Sequence, residues 1–268
     1  MFIFSGVELS TQQVEALQRG HIYAAYLHSE TMRVVVPYLV LAGLALTMLI
    51  LVAATKFPTS MTDTGEHDSG RSSIHALWKS PQFLLAVAAQ FACVGAQVGS
   101  WSYFIPYIQS YTREPERVAG YILTASLVAF GIGRFVSAWL MRTIQPSKLM
   151  GIYCVINTGL AVVGIAFPGW IGVGALMLTS FFMSLLFPTI FAQGIRGLGV
   201  NTKLASSLLV MAIVGGAVLT PIMGLISVYF SLAIAYTVPL LAYIFIAFFA
   251  FADARMLMLP RDPKSRVF

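Results

Sequence analysis

The stretch Gln90-Phe-Ala-Cys-Val-Gly-Ala-Gln97-Val-Gly-Ser-Trp101-Ser-Tyr-Phe-Ile-Pro106 decides how the chain is read. It is apolar enough to cross a bilayer as a helix, yet it carries two glutamines. Gln90, Gln97, Trp101 and Phe104 follow at steps of seven, four and three, so a helix puts them on one face. Gly95 and Gly99 form a G-x-x-x-G pair, which lets a second helix approach closely. An amide in hydrocarbon is costly, so both glutamines must face protein or water.

Working outward, the same apolar character returns again and again. Six spans are expected at about 82–108, 118–140, 148–167, 171–191, 204–228 and 232–252, joined by short turns such as Phe167-Pro-Gly-Trp170 and Tyr229-Phe-Ser231. Upstream, Val34–Thr55 is long enough to cross a core of roughly 30 Å, and Lys56-Phe-Pro58 stops it. The expected fold is therefore all-α, a polytopic membrane protein with seven transmembrane helices. Its parts are a polar loop over 1–33, a single transmembrane helix over 34–56, a hydrophilic linker over 57–80, a six-helix unit over 81–253 and a tail over 254–268. Within the first loop, Ser10 or Thr11 suits the cap of a short surface helix.

Composition agrees. Of 268 residues, 58% are hydrophobic and 10% charged, more apolar surface than a soluble chain can hide. The net charge of +6 comes from bases lying between apolar runs. They make no basic face for nucleic acid and act as topology determinants. One side receives Lys56, Arg71, Lys79, Arg134, Arg142, Lys148, Arg196, Lys203, Arg255, Arg261, Lys264 and Arg266; the other receives Arg19, Arg33, Arg113 and Arg117. The linker and C-terminus are then cytoplasmic and the N-terminal loop outside. Cys93 and Cys154 sit inside apolar runs and imply neither a disulfide framework nor a metal site.

Seven spans beginning outside fit a receptor-like bundle, or one extra span followed by a six-helix unit. The linker after the first span favours the second. Six-helix units made of two three-helix repeats are a transporter architecture. Phe130-Gly-Ile-Gly133 is faintly echoed three spans later by Val214-Gly-Gly216.

All ten acidic residues and all four histidines are expected in loops or tails. No span then holds paired carboxylates, a His/Asp couple or a metal-ligand cluster, which speaks against an intramembrane hydrolase, indeed against an enzyme. Uncharged polar residues remain. Gln90, Gln97 and Trp101 suit either a sugar-lined cavity, with amides bonding hydroxyls and a ring stacking on C–H faces, or plain helix–helix glue. Asn157 suits an interhelical hydrogen bond or the same cavity. Phe187-Pro188-Thr189 interrupts a span, and Pro188 kinks it. Arg134 and Arg142 close a span at the cytoplasmic edge, either by snorkelling or by clamping a neighbouring helix end.

Three blocks carry a resemblance. Ala89–Ile105 resembles the seventh helix of the fucose/galactose/hexose:proton symporters of the major facilitator superfamily. Ser184-Leu-Leu-Phe-Pro-Thr-Ile-Phe-Ala-Gln-Gly-Ile-Arg-Gly-Leu-Gly199 resembles their tenth, and Ala205–Gly224 their eleventh. Phe2–Glu8 and Thr55–Pro58 resemble the ends of their fifth and sixth helices.

The resemblance implies a twelve-helix fold in a bacterial inner membrane, with two six-helix halves around a sugar cavity. This chain would hold the sixth helix and the C-terminal half; the N-terminal half, which carries the proton-coupling acids of the family, would be missing and required for transport. The proton is the coupling ion and no other cofactor is implied. The sugar site would include Gln90, Gln97, Trp101, Asn157 and Phe187, with Pro188 positioning the ring and Arg134 and Arg142 at a cytoplasmic gate. The expected function is sugar:proton symport by alternating access; the alternative is a non-transporting membrane protein, a truncated pseudo-transporter or a receptor-like bundle. Two positions depart from the fucose pattern. Phe187 stands where fucose permeases have a tyrosine, which points toward the glucose/galactose branch, and Ser227-Val228 stands where Ser-Asp is usual.

Overall fold

The computed structural model describes residues 23–55 and 77–258. Residues 1–22 of the expected N-terminal loop, the Lys56–Pro58 stop, most of the linker and the end of the tail lie outside the described residues. Two units are distinguished, Met1–Glu66 and His67–Phe268.

In the first unit Tyr23–Ala54 is one helix, α1. It starts well before Val34, where a loop was expected. Between Tyr23 and Pro37 no glycine or proline interrupts the chain, and Ala24, Ala25, Leu27, Glu30 and Met32 favour a helix. Its described apolar segment is Tyr38–Ala54, shorter than the six spans of the other unit. Thr47 and Thr55 return their hydroxyls to the carbonyls of Gly43 and Leu51, at 2.8 and 2.6 Å, so neither adds a free polar group.

The second unit has six helices long and apolar enough to cross a membrane. Hydrocarbon leaves backbone groups no partner but each other, so continuous helices are the economical solution. Span one is α2 (Pro81–Ser102) and α3 (Phe104–Thr112). Span two is α4 (Glu116–Leu140), and span three is α5 (Pro146–Ala166). Span four is α6 (Trp170–Met183) and α7 (Leu186–Gly194). Span five is α8 (Thr202–Met211), a 3₁₀ turn over Ala212–Val214, and α9 (Gly215–Tyr229). Span six is α10 (Leu232–Ala235) and α11 (Thr237–Met258). The ends carry local signals. Ser80 caps α2 ahead of Pro81, Arg113 in the left-handed region (φ 59°) ends α3, and Glu116 sits in the first turn of α4, where the helix dipole favours an acid.

Besides the 3₁₀ turn in span five, three spans are interrupted, each just ahead of a proline. Proline lacks an N–H and its ring clashes with the carbonyl four residues back. For Pro106, Pro188 and Pro239 that residue is Ser102, Ser184 and Ala235. Ser102 and Ala235 are the last residues of α2 and α10, and Ser184 caps α6. The kink expected at Pro188 is thus a helix break at Ser184–Leu185.

Packing follows the two-repeat scheme. Span one packs on spans five, six and the lower part of four; span four packs on spans two and three; and spans three and six pack on each other. Exchanging spans 1-2-3 with 4-5-6 leaves this pattern unchanged. The sequence echo has a structural counterpart. A Cβ on Gly133 would meet the Phe181 carbonyl oxygen, with Ser184 Oγ at 2.8 Å. A Cβ on Gly215 would meet the Phe91 carbonyl oxygen, with Phe91 carbonyl carbon at 2.8 Å. Each glycine seats its helix on a phenylalanine carbonyl in the first helix of the other repeat. Phe91 and Phe181 are ninety residues apart, and the burial pattern of residues 91–100 recurs, residue for residue, over 181–190.

Gly95 and Gly99 face α9, where added Cβ atoms would meet Leu219 and Met223. At the end of the bundle where α2 finishes, tyrosines tie span one to spans three and six. Tyr107 donates to the Gly164 carbonyl at 2.6 Å, Tyr236 to the Ser100 carbonyl at 3.0 Å, and Tyr111 accepts from the Ala233 N–H at 3.1 Å.

Candidate functional site

The expected site residues fall into two groups. Gln97, Trp101 and Phe187 are half-buried, while Gln90 and Asn157 are wholly enclosed at 0% exposure. The five therefore do not share one open surface.

Trp101 is held on several sides. Its indole Nε1–H donates to Ser180 Oγ at 3.1 Å, and Ser180 Oγ pairs with Ser126 Oγ at 2.6 Å. Its ring stands edge-on to Phe130, centroids 5.1 Å apart. Phe130 in turn lies 5.2 Å beneath the Arg134 guanidinium. Side chains of spans two and four thus fix a ring carried by span one. A ring with its polar edge already bonded keeps its apolar face for stacking.

Gln97 and Phe187 are ninety residues apart, at equivalent positions of the two repeats, and each is followed by an exposed residue, Val98 and Pro188. Phe187 stands in the first turn of α7, immediately after the break. Thr189 below it spends its hydroxyl on the Leu185 carbonyl at 2.8 Å.

Gln90 and Asn157 are enclosed with all four amide atoms lacking a protein hydrogen-bond partner. An orphaned buried amide is costly, and native proteins hold few of them. Tyr243 Oη, Thr220 Oγ1 and Gln193 Oε1 join them.

Arg134 and Arg142 are both exposed. The buried ionic contact lies elsewhere, and it corrects the expectation that every acid sits in a loop or tail. Asp253 is inside α11 and 3% exposed. Its carboxylate accepts hydrogen bonds from Gln82 Nε2 at 3.0 Å and Ser147 Oγ at 2.6 Å, and Arg196 Nη1 lies 3.7 Å away. Gln193 Nε2 donates to Ser147 Oγ at 2.9 Å. The missed signal was periodicity: Ala242, Ile246, Phe249 and Ala250 are buried, and Asp253 continues their stripe. Helix also continues to Met258, past the expected boundary of the tail. Among the described residues no group of three or more His, Cys, Asp or Glu is placed to hold a metal.

Comparison with known proteins gives these residues a context. No protein-family model matches the chain. The L-fucose-proton symporter of Escherichia coli (strain K12) is 37% identical over 231 residues, which are 84% of this chain and 52% of the relative. A crystal structure of the E. coli fucose:proton symporter superposes with a TM-score of 0.80 at 34% identity, over 94% of this chain and 62% of that one. The chain is a homologue of the major facilitator sugar symporters. The glucose/galactose transporter of Brucella abortus (biovar 1, strain 9-941) is another homologue, 29% identical over 238 residues, which are 86% of this chain and 56% of the relative. The chain spans about half the length of the curated relatives it matches.

Proposed function

We propose that this chain serves sugar:proton symport by alternating access, with a hexose or L-fucose as substrate. The observation that carries the reading is an amide and two aromatic rings, half-buried, on a bundle homologous to sugar symporters: Gln97, Trp101 and Phe187. Such a set bonds hydroxyls and stacks on the C–H face of a pyranose. Phe187 offers no hydroxyl and favours a glucose- or galactose-type hexose. Gln90 and Asn157 complete the polar path, their free amides meeting sugar or water when the helices rearrange. Pro188 sets Phe187 by breaking the helix before it, and Arg134 and Arg142 mark the cytoplasmic gate.

In this reading α1 crosses the bilayer as a seventh span, the N-terminus lies outside and the C-terminus is cytoplasmic, as the distribution of Lys and Arg favours. Proton coupling falls to acids outside the described residues, since Asp253 is bonded at the end of its span. Transport then requires a second six-helix half of the kind the relatives' greater length accommodates.

The test is hexose binding by the purified chain, followed through Trp101 fluorescence, with uptake measured in proteoliposomes. Saturable binding of one hexose, lost in Gln97→Ala at unchanged folding yield and without uptake by the chain alone, is the expected result. Binding unaffected by Gln97→Ala removes this wall from the site. Proton-driven uptake by the chain alone refutes the need for a second half.

A further inference from the structure

The α7 helix poses a mechanical problem. It carries Phe187 in its first turn and follows α6 across Ser184–Leu185, where the helical hydrogen bonding is interrupted although both residues keep right-handed helical dihedrals. A helix weakened at that point leaves part of its direction to be set elsewhere. At about 1.5 Å per residue its nine residues form a rigid rod of roughly 13 Å. Whatever holds the far end sets where the aromatic ring stands.

The far end is held by packing and by charge. Gly194 abuts α2 and α8: a Cβ there would lie 3.1 Å from Ala86 Cβ and 2.8 Å from Leu209 Cδ1. Beside it, Gln193 donates to Ser147, Ser147 donates to Asp253, and Arg196, two residues past the helix, faces the same carboxylate. Asp253 also takes the Gln82 amide. One buried carboxylate thus joins the first turns of α2 and α5 to the end of α7 and to α11. Gln82 and Ser147 belong to the first repeat, Gln193, Arg196 and Asp253 to the second. Charge-assisted bonds of this kind are the strong ones, and removing one member leaves the rest of a buried network unpaired.

We infer that Asp253 is a positioning residue: through Ser147 and Gln193 it fixes the tilt of α7 and hence the placement of Phe187. It touches no sugar. Its effect on binding rests on the reading of Phe187 as a cavity residue; the placement itself does not.

The experiment incorporates trifluoromethylphenylalanine at position 187 of the full chain and records its ¹⁹F resonance in detergent. Asp253→Asn and Gln193→Leu are compared with Tyr107→Phe, which removes the Gly164 bond at the opposite end of the bundle. Ser147→Ala carries the test if Asp253→Asn does not fold. The expected result is a shifted or split resonance in the Asp253 and Gln193 variants, an unmoved one in Tyr107→Phe, and hexose affinity reduced by about tenfold in the former pair. An unmoved resonance in folded Asp253→Asn and Gln193→Leu overturns the inference, and so does an equal shift in Tyr107→Phe. A shifted resonance in a chain that binds no hexose upholds the placement and overturns the sugar-site reading.

Discussion

Gly131 and Gly133 are two residues apart on α4, yet an added methyl group should act oppositely on them. At Gly131 a Cβ meets nothing within 4 Å. Alanine there gains about 1 kcal/mol of helix propensity. At Gly133 the Cβ would run into the Phe181 carbonyl oxygen, with Ser184 Oγ at 2.8 Å and the Phe181 carbonyl carbon at 3.1 Å. The nearest obstacle is backbone, which has no rotamer to escape into, so α4 itself must withdraw from α6. Overpacking of this kind costs about 1–3 kcal/mol. Both variants share the propensity gain, so their difference isolates the packing cost, again about 1–3 kcal/mol. For a bundle of this size that corresponds to roughly 2–12 °C between the two melting temperatures. Cys93 and Cys154 are free and buried, so a thiol-reactive dye reports unfolding without an added label. Gly131→Ala should melt at or above the parent and Gly133→Ala clearly below Gly131→Ala. Coincident melting curves would refute the seating of α4 on the Phe181 carbonyl and, with it, the symmetry drawn with Gly215 and Phe91.

Gln90→Met removes two orphaned amide atoms at nearly constant volume, and should leave stability unchanged or raise it by about 1–3 kcal/mol in the same melting assay; a loss would show that the amide is bonded after all. A simultaneous fall in hexose affinity would place Gln90 among the groups held at a cost to stability for function. Trp101→Phe deletes the donor to Ser180 while the Ser126–Ser180 bond remains, so a loss of about 0.5–1.5 kcal/mol is expected, together with loss of the binding-dependent fluorescence. Phe187→Tyr adds a hydroxyl to a half-buried ring, and should change the ranking of fucose, galactose, glucose and mannose in competition binding by more than it changes melting; an unchanged ranking would remove Phe187 from the selectivity determinants.

Much of the bundle was legible because hydrocarbon imposes such narrow rules. Apolar runs of the right length, punctuated by the Phe167–Trp170 and Tyr229–Ser231 turns, located all six spans of the second unit. The Gly95/Gly99 pair foretold a close helix neighbour without saying that the neighbour is α9. The broken spans at Tyr103 and Tyr236 followed from prolines whose consequence was worked out only at Pro188. Asp253 was misplaced because its neighbours Arg255 and Arg261 suggested a solvated tail, whereas three polar partners from distant parts of the sequence make a buried carboxylate tolerable. Nothing local announces Gln82, Ser147, Gln193 and Asp253 as a set. The enclosure of Gln90 and Asn157 was invisible for the same reason: which face of a helix meets which neighbour depends on contacts hundreds of atoms away in the chain.

The carbonyl seats at Gly133 and Gly215 have a consequence for how the bundle can deform. An odd number of crossings per repeat turns the second copy upside down relative to the first, so the two seats are related by a pseudo-two-fold rotation about an axis in the membrane plane rather than by translation. A motion that slides one helix toward one leaflet over its seat is matched by an equally feasible motion of its counterpart toward the other leaflet. The bundle thus has a pair of symmetry-related distortions, one directed toward each leaflet.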